Sequence, residues 1–132
     1  MRSLSFKTIC RKLEKYKLPK FGLVVGIAEG GIVPASLVAR KLGSVLKIIQ
    51  LNYRDENNNP RYPNPVLLHK ARILRAPKEI LIVDDAAISG KTLAAAKKLF
   101  KGRTVKTMVF KGRADYVLFP EIKACVRWPW KI

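Results

Sequence analysis

The sequence has 132 residues, 48% of them hydrophobic, which is enough for one domain with a single core and too little for two. Its 27 Lys and Arg residues outnumber 9 Asp and Glu residues, and the formal charge of +18 attracts polyanions, phosphorylated metabolites as readily as nucleic acid. No apolar run reaches the roughly 18 residues of a membrane span, and residues 1–20 lack the apolar stretch of a signal peptide. We therefore expect one domain over residues 1–132, cytoplasmic and without a membrane partner.

The first part of the chain predicts a helix followed by a strand–helix–strand unit. Apolar residues at helical spacing, with Ser5 as a cap, predict the first helix. The continuous apolar runs FGLVVGIA over residues 21–28 and VLKIIQL over residues 45–51 predict strands that are buried on both faces. Between them, Pro34 in a first turn and Gly43 at the end predict a second helix. Two strands joined in this way are expected to be parallel.

The second part begins with a polar segment, YRDENNNPRYPNP over residues 53–65. A loop of this length in a small domain is more often functional than idle, and disorder is the alternative. The elements predicted after it are a short strand over residues 66–70, a buried strand over 80–83, a helix that Ser89 caps and that runs to about Lys101, and strands over 104–110 and 116–119. This alternation predicts an α/β fold, a central parallel sheet flanked by helices.

The segment ILIVDDAAISGKTL, residues 80–93, carries the clearest chemistry. A buried strand leads to Asp84 and Asp85, and a short turn leads to a helix whose free amides and positive dipole end favour an anion. Gly90 allows close approach, and hydroxyl donors flank it. One loop thus offers phosphate donors at one end and acceptors for sugar hydroxyls at the other, as a phosphorylated ribose requires. The alternative is a capped helix after a solvated pair of aspartates.

Five segments resemble the type I phosphoribosyltransferases, and they follow the family's order. ILIVDDAAISGKTL is similar to the phosphoribosyl-pyrophosphate signature of that family. GIAEGGIVPASLVARKLG (residues 26–43) resembles the pyrophosphate loop and helix of xanthine-guanine and hypoxanthine-guanine members. MVFKG (residues 108–112) resembles their strand with a purine-contacting lysine, and DYVLFP and WPW resemble the tail that covers the base. The resemblance implies the type I phosphoribosyltransferase fold with a small C-terminal hood over the base.

The resemblance also implies an activity and a set of site residues. It implies a purine (6-oxopurine) phosphoribosyltransferase, which transfers ribose 5-phosphate from phosphoribosyl pyrophosphate to a nucleobase and releases pyrophosphate. Asp84 and Asp85 would be catalytic, holding the ribose hydroxyls and, mainly through water and substrate, Mg²⁺. The residues implied to bind the 5′-phosphate are Ala86, Ala87, Ile88, Ser89, Gly90, Lys91 and Thr92. Those implied to bind pyrophosphate are Ala28, Glu29, Gly30 and Gly31, with an Ala28–Glu29 peptide that is often cis in the family. Those implied to bind the base are Lys111, Val126 and Arg127.

The implied partners are phosphoribosyl pyrophosphate and a nucleobase or nucleoside monophosphate. The resemblance further implies a homo-oligomer, a dimer or a tetramer, and a mobile lid over residues 53–65 that excludes water.

Three positions depart from the family's pattern. Ile88 stands where purine members have an Asp that handles a proton of the base, and Ile has no acid–base chemistry. Glu29 replaces a basic residue beside the pyrophosphate loop, and Cys125 stands about where an aromatic ring stacks on the base, a role that Trp128 could take. Either the enzyme uses another base or a weakened mechanism, or the protein is a non-catalytic regulator of the same fold that binds nucleotide or nucleic acid. Nucleic acid is the less favoured partner because aromatic residues are only 8% of the chain.

Overall fold

The computed structural model describes residues 1–52, 66–67 and 78–131. Within these ranges the chain forms eight strands and three helices. The strands are β1 (Arg2–Ser3), β2 (Leu23–Ala28), β3 (Val45–Asn52), β4 (Val66–Leu67), β5 (Glu79–Ala87), β6 (Thr104–Gly112), β7 (Tyr116–Val117) and β8 (Val126–Arg127). The helices are α1 (Phe6–Lys15), α2 (Ile32–Leu42) and α3 (Lys91–Lys98). Among these helices, none combines the length and the apolar character that crossing a membrane requires.

The described part of the chain contains a six-stranded sheet in the order β4-β3-β2-β5-β6-β7. All neighbouring strands are parallel except β4, which pairs antiparallel with β3 at the edge. The central strands β2 and β5 are the continuous apolar runs of the sequence, as expected for strands covered on both faces. The α/β class predicted from the alternation of elements is therefore confirmed.

Successive residues of the central strands point into two different hydrophobic clusters. Val24, Leu81 and Val83 belong to the cluster that contains residues of α1, α2 and the C-terminal segment. Val25 and Ile82 belong to the cluster on the other face, which contains Leu93 and Ala96 of α3. The sheet is thus a middle layer between helices, and the carboxyl ends of its parallel strands lie at one common edge, where ligands of such sheets bind.

Hydrogen bonds between Thr107 and Asp115, which we call the clasp, stabilise the short connection between β6 and β7. These two strands are parallel, and only residues 113–115 separate them, whereas parallel neighbours are usually joined by a crossover of a dozen or more residues. Asp115 Oδ2 accepts hydrogen bonds from Thr107 N at 2.8 Å and from Thr107 Oγ1 at 3.1 Å, and Asp115 N donates to Thr107 Oγ1 at 3.1 Å. Because Thr107 is buried, this clasp satisfies polar groups that water does not reach.

The C-terminal segment 118–131, which we call the hood, packs back on the first cluster. Trp128 is buried, lies edge-on to Phe110, and stacks on Trp130 with ring centroids 5.2 Å apart and 6° between the ring planes. The β8 strand within the hood pairs in parallel with β1, so the two ends of the described chain lie side by side. These contacts fix the position of the last residues relative to the sheet.

Most predicted elements are found close to their expected bounds. Ser5 caps α1, with its side chain accepting a hydrogen bond from Thr8 N at 3.1 Å, and Gly43 ends α2 in the left-handed region at φ 66°. The predicted loop over residues 53–65 and most of the strand predicted after it lie outside the described residues, which include only Val66–Leu67 of that strand. The two short strands β1 and β8 were not predicted, because two-residue strands have no readable pattern.

Two predicted elements, the strand and the helix on either side of the predicted phosphate loop, have wrong boundaries. The strand expected to end at Val83 continues to Ala87, because its ladder with β6 extends to the pair Ala87–Gly112. The helix expected from Ser89 to Lys101 spans Lys91–Lys98. Its cap is Gly90 in the left-handed region at φ 78°, and Ser89 Oγ instead accepts a long 3.3 Å hydrogen bond from Lys91 N.

Candidate functional site

The two neighbouring aspartates lie on the last part of β5, where the strand has a partner on one side. Pairing with β2 runs to Val83, and pairing with β6 continues to Ala87. Asp84 Oδ1 accepts a hydrogen bond from Asp85 N at 2.8 Å, and Asp85 Oδ1 accepts one from Ala86 N at 2.7 Å. The extended ladder with β6 and these local hydrogen bonds hold both carboxyl groups at the carboxyl edge of the sheet.

A cavity of about 120 Å³ lies between the end of β5 and the start of α3. Its lining residues are Asp84, Ala86, Ala87, Ile88, Ser89, Gly90, Thr92 and Leu93. The first amides of an α-helix have no partner inside the helix, and the helix dipole is positive at that end. All the predicted phosphate-binding residues except Lys91 therefore line one cavity that suits an anion, although Ala86 and Ala87 belong to the strand and not to the loop.

Asp84 is an acid with a strongly perturbed pKa. Burial, and after it the nearby negative charge of Asp85, raise the pKa of its carboxyl group from 3.8 to about 8. Near neutral pH the carboxyl group of the free protein is thus mostly protonated and can donate a hydrogen bond.

The predicted pyrophosphate loop lies against Asp85. The Ala28–Glu29 peptide is cis, as the resemblance implies. A Cβ added to Gly30 would lie 2.6 Å from Asp85 Oδ2, so glycine is needed here for the loop to approach the carboxylate. A Cβ on Gly31 would lie 2.6 Å from the carbonyl oxygen of Ile27, which makes this second glycine a packing requirement.

One predicted role in this loop needs correction. The amide of Gly31 donates a 2.7 Å hydrogen bond to the carbonyl oxygen of Ile27, so it is already used within the turn and does not point to a ligand. The amide of Gly30, by contrast, has no hydrogen-bond partner within the described ranges of the chain. Gly30 is therefore the better candidate for an anion contact.

Lys131 is a site residue that the sequence did not reveal. Its Nζ lies 3.2 Å from Asp85 Oδ2, and it lines a cavity of about 360 Å³ together with Glu29, Gly30 and Trp130. Asp85 is almost fully buried, whereas the Lys131 side chain is 60% exposed. In the sequence Lys131 is one of 27 basic residues, and no local pattern connects it with an acid that is 46 positions earlier (131 − 85).

The predicted base-binding residues occupy two places. Lys111 lies near the end of β6, opposite Ala86 in the ladder with β5, and hence at the same sheet edge as the aspartates. Val126 and Arg127 form β8 in the separate two-stranded sheet, and they line a cavity of about 450 Å³ with Met1 and Lys131. Lys131 thus borders both this cavity and the cavity at the pyrophosphate loop.

The three departures from the family's pattern are all exposed in the structure. Ile88 is 94% exposed at the tip of the loop, while Glu29 and Cys125 are also exposed. Trp128 is buried and already stacked on Trp130, so it does not offer a free ring face in place of Cys125.

The acidic residues do not form a metal site by themselves. Within the ranges that the structure describes, no group of three or more His, Cys, Asp or Glu side chains could hold a metal ion. Two adjacent carboxyl groups suit a Mg²⁺ ion that arrives with a phosphorylated ligand, because Mg²⁺ commonly uses one or two carboxylates together with substrate phosphates and water. The donor set therefore fits an ion carried by the ligand.

Taken together, these side chains and amides can bind an elongated ligand that carries anionic groups at both ends. One end would lie at the start of α3, and the other would lie between Gly30 and Lys131. The acids Asp84 and Asp85 lie between these two anion sites and can bind hydroxyl groups. No residue in this arrangement is a strong nucleophile, so its chemistry is that of positioning and charge stabilisation.

Comparison with known proteins gives the same family over most of the chain. The model of the phosphoribosyl transferase domain matches residues 6–128. The chain is 38% identical over 79 residues to xanthine-guanine phosphoribosyltransferase of Cereibacter sphaeroides, covering 58% of this chain and 46% of that protein. It is 28% identical over 114 residues to orotate phosphoribosyltransferase of Sulfurisphaera tokodaii, covering 82% and 52%. The matched part thus spans about half the length of these curated relatives.

Solved structures share the fold along nearly the whole chain. Purine phosphoribosyltransferase from Pyrococcus horikoshii superposes with a TM-score of 0.76 at 22% identity, covering 98% of this chain and 93% of that one. The xanthine-guanine-hypoxanthine phosphoribosyltransferase of Helicobacter pylori gives a TM-score of 0.80 at 15% identity, covering 99% and 94%. At these identities the likeness shows the arrangement of helices and strands.

Proposed function

Because this chain belongs to the phosphoribosyl transferase domain family, we propose that it is a purine phosphoribosyltransferase. It transfers ribose 5-phosphate from phosphoribosyl pyrophosphate to a 6-oxopurine and releases pyrophosphate. The observation that carries this proposal is the single cavity that Asp84 shares with the start of α3. That cavity offers amides for a phosphate and a carboxyl group for the hydroxyls of a sugar, which is the polarity of a 5-phosphorylated ribose.

The substrate would extend from α3 to the loop after β2. Its 5′-phosphate would bind the amides and hydroxyls of residues 88–92, and its ribose hydroxyls would bind Asp84 and Asp85. Its pyrophosphate would lie against Gly30, in the cavity that Gly30 lines together with Lys131. The names of the curated relatives and the solved neighbours support a phosphoribosyl substrate for this site.

In the reaction, a ring nitrogen of the base forms a bond to C1′ of the ribose as the bond from C1′ to pyrophosphate oxygen breaks. Positive charge grows on the sugar and negative charge grows on the leaving group, so the site has to stabilise both. Asp85, which accepts a hydrogen bond from Ala86 N, would lie beside the sugar, and Lys131, which is paired with Asp85, would add positive charge near the leaving group. Holding the two substrates in line is the protein's other contribution.

Asp84 and Asp85 would hold a Mg²⁺ ion that arrives with the substrate. When bound it would supply positive charge to the leaving group. Lys111, at the same sheet edge as the aspartates, would donate to the exocyclic oxygen of the purine. Residues 53–65 are the predicted lid and lie outside the described residues. A homo-oligomer and a cytoplasmic location stay predictions.

The direct test is to incubate the purified protein with phosphoribosyl pyrophosphate, Mg²⁺ and each nucleobase in turn, and to measure nucleotide and pyrophosphate. We expect product with guanine, xanthine or hypoxanthine. Product with orotate alone would show that the base is a pyrimidine instead of a purine. A lack of product with every base would reject the enzymatic function.

The double substitution Asp84→Asn with Asp85→Asn tests the site itself. We expect it to remove phosphoribosyl pyrophosphate binding in calorimetry while thermal unfolding stays cooperative. The matched control is Glu121→Gln, because Glu121 is an exposed acid of the hood outside the two anion sites. Unchanged affinity of the double variant would mean that the ribose binds elsewhere.

A further inference from the structure

Asp85 already has a cation beside it in the free protein. The Lys131 ammonium lies 3.2 Å from Asp85 Oδ2, on the side of the carboxylate that faces Gly30. The other oxygen of Asp85 accepts from Ala86 N, so both oxygens are engaged. Any anion that binds at Gly30 therefore approaches a buried carboxylate that is paired with Lys131.

The hood fixes the backbone of Lys131, and the side chain of Lys131 is exposed. Its backbone amide donates to the carbonyl oxygen of Trp128 at 3.1 Å, and Trp128 is fixed by the core and by its stack on Trp130. The side chain is 60% exposed and lines the cavity that contains Glu29 and Gly30. An exposed ammonium on an anchored backbone can contact Asp85 and a ligand in that cavity at once.

An anionic ligand in this cavity needs a positive charge between it and the carboxylate of Asp85. Pyrophosphate next to Asp85 and Glu29 would meet two carboxylates, and like charges at short distance repel strongly where water is partly excluded. The ammonium of Lys131 lies where it can separate the ligand from Asp85.

We propose that Lys131 is the pyrophosphate-binding cation of this site, a tethered positive charge that bridges Asp85 and the leaving group. The inference rests on the proposed function and adds a residue to it, since phosphoribosyl pyrophosphate carries the pyrophosphate concerned. Lys131 acts on the half of the substrate that leaves, and it does not contact the 5′-phosphate at the start of α3.

Two simple ligands separate the halves of the site. Calorimetry with inorganic pyrophosphate and with ribose 5-phosphate, each in EDTA to remove divalent ions, compares the full-length protein with Lys131→Met. We expect pyrophosphate to bind about tenfold more weakly to the variant, the size of effect typical of a lost charged hydrogen bond. Ribose 5-phosphate is expected to bind both proteins within about a factor of two.

Three further variants make the result specific. Lys131→Arg keeps the charge and is expected to restore most of the pyrophosphate affinity. Lys123→Met removes an exposed hood lysine outside the two cavities that Lys131 lines, so it controls for net charge and is expected to behave as the unchanged protein. Glu29→Gln is expected to strengthen pyrophosphate binding, because it removes the second carboxylate of the cavity.

Each contrary outcome has a distinct meaning. Equal pyrophosphate affinity in Lys131→Met and the unchanged protein would overturn the inference alone. An equal loss for both ligands in Lys131→Met and Lys131→Arg would assign the residue to the folding of the hood, and it would overturn the inference as well. An unchanged protein that binds neither ligand in EDTA would overturn the inference, while the proposed function is decided separately by the nucleobase assay with Mg²⁺.

Discussion

Asp84 and Asp85 are adjacent, but their carboxyl groups have different surroundings. Asp85 is paired with Lys131 and accepts from the backbone, whereas Asp84 lines the cavity at the start of α3 and has its pKa raised to about 8 by burial and by Asp85. Two neighbouring acids with such different surroundings can take different tasks in one site.

This raised pKa predicts how stability depends on pH. The pKa of Asp84 is 3.8 in the unfolded chain and about 8 in the folded protein, so the folded state holds more protons between these values. The contribution of Asp84 to the free energy of unfolding is therefore complete below about pH 4 and is lost as pH rises through 8. Asp84→Asn, which mimics the protonated acid, is expected to match the unchanged protein at about pH 4 and to exceed it at pH 9. Urea unfolding at both pH values measures the difference, and a constant difference across pH would contradict the assignment.

The substitution Ile88→Asp is expected to raise the enzymatic activity. It is 94% exposed at the tip of the phosphate loop, so Ile88→Asp removes no packing. If the proton of the purine limits the reaction, an acid at this position is expected to raise kcat for the best purine, up to about 10²-fold. Steady-state rates of Ile88→Asp and of the control Ile88→Asn answer this, because Asn has the same shape without a proton to exchange. An equal effect of the two substitutions would exclude acid–base chemistry as the cause.

At the scale of elements, the sheet edge that holds the site depends on β6. This strand extends the ladder of β5 past Val83 and carries Lys111, and its return to β7 is clasped by Thr107 and Asp115. The clasp therefore supports the strand on which both the aspartates and the predicted base contact depend.

Asp115→Ala is expected to lower the free energy of unfolding by about 1–3 kcal/mol, because it leaves the buried amide and hydroxyl of Thr107 without their acceptor. Urea denaturation with Asp115→Asn as a partner variant checks this, since Asn keeps one acceptor oxygen and is expected to lose less. Equal stability of the Ala variant would mean that water replaces the carboxylate at no cost.

Elements with their own local signals could be predicted from the sequence. Apolar runs gave the central strands, Ser5 marked the start of α1, and Gly43 marked the end of α2. The end of β5 could not be predicted, because two aspartates and two alanines look like a turn until the ladder with β6 forms. Lys131 could not be predicted either, since its partner Asp85 is distant in the chain and neither residue has a local motif that names the other.

At the scale of the molecule, the charge of +18 exceeds what one substrate site needs. Basic residues lie in the last turn of all three helices, on both faces of the sheet, and this spread favours no single groove. Such a surface binds polyanions through their charge, without a base-reading element.

We therefore expect binding to duplex DNA to be weak and dependent on salt. Affinity is expected to fall by about 10³-fold or more between 50 and 200 mM salt, the range typical of contacts to several phosphates, with equal affinity for unrelated sequences. Fluorescence anisotropy with two labelled duplexes measures both quantities. Binding that tolerates salt and prefers one sequence would instead favour the regulatory alternative.

The two stacked tryptophans of the hood allow ligand binding to be followed by intrinsic fluorescence. The chain contains only two tryptophans, Trp128 and Trp130, and both lie beside the Lys131 cavity or directly beneath it. All of its indole emission therefore comes from one corner of the molecule, close to where the leaving group is proposed to bind. A shift in the tryptophan emission wavelength during a titration with ligand would report a change around the hood without any attached dye. Changes far from the hood would leave the emission unaltered.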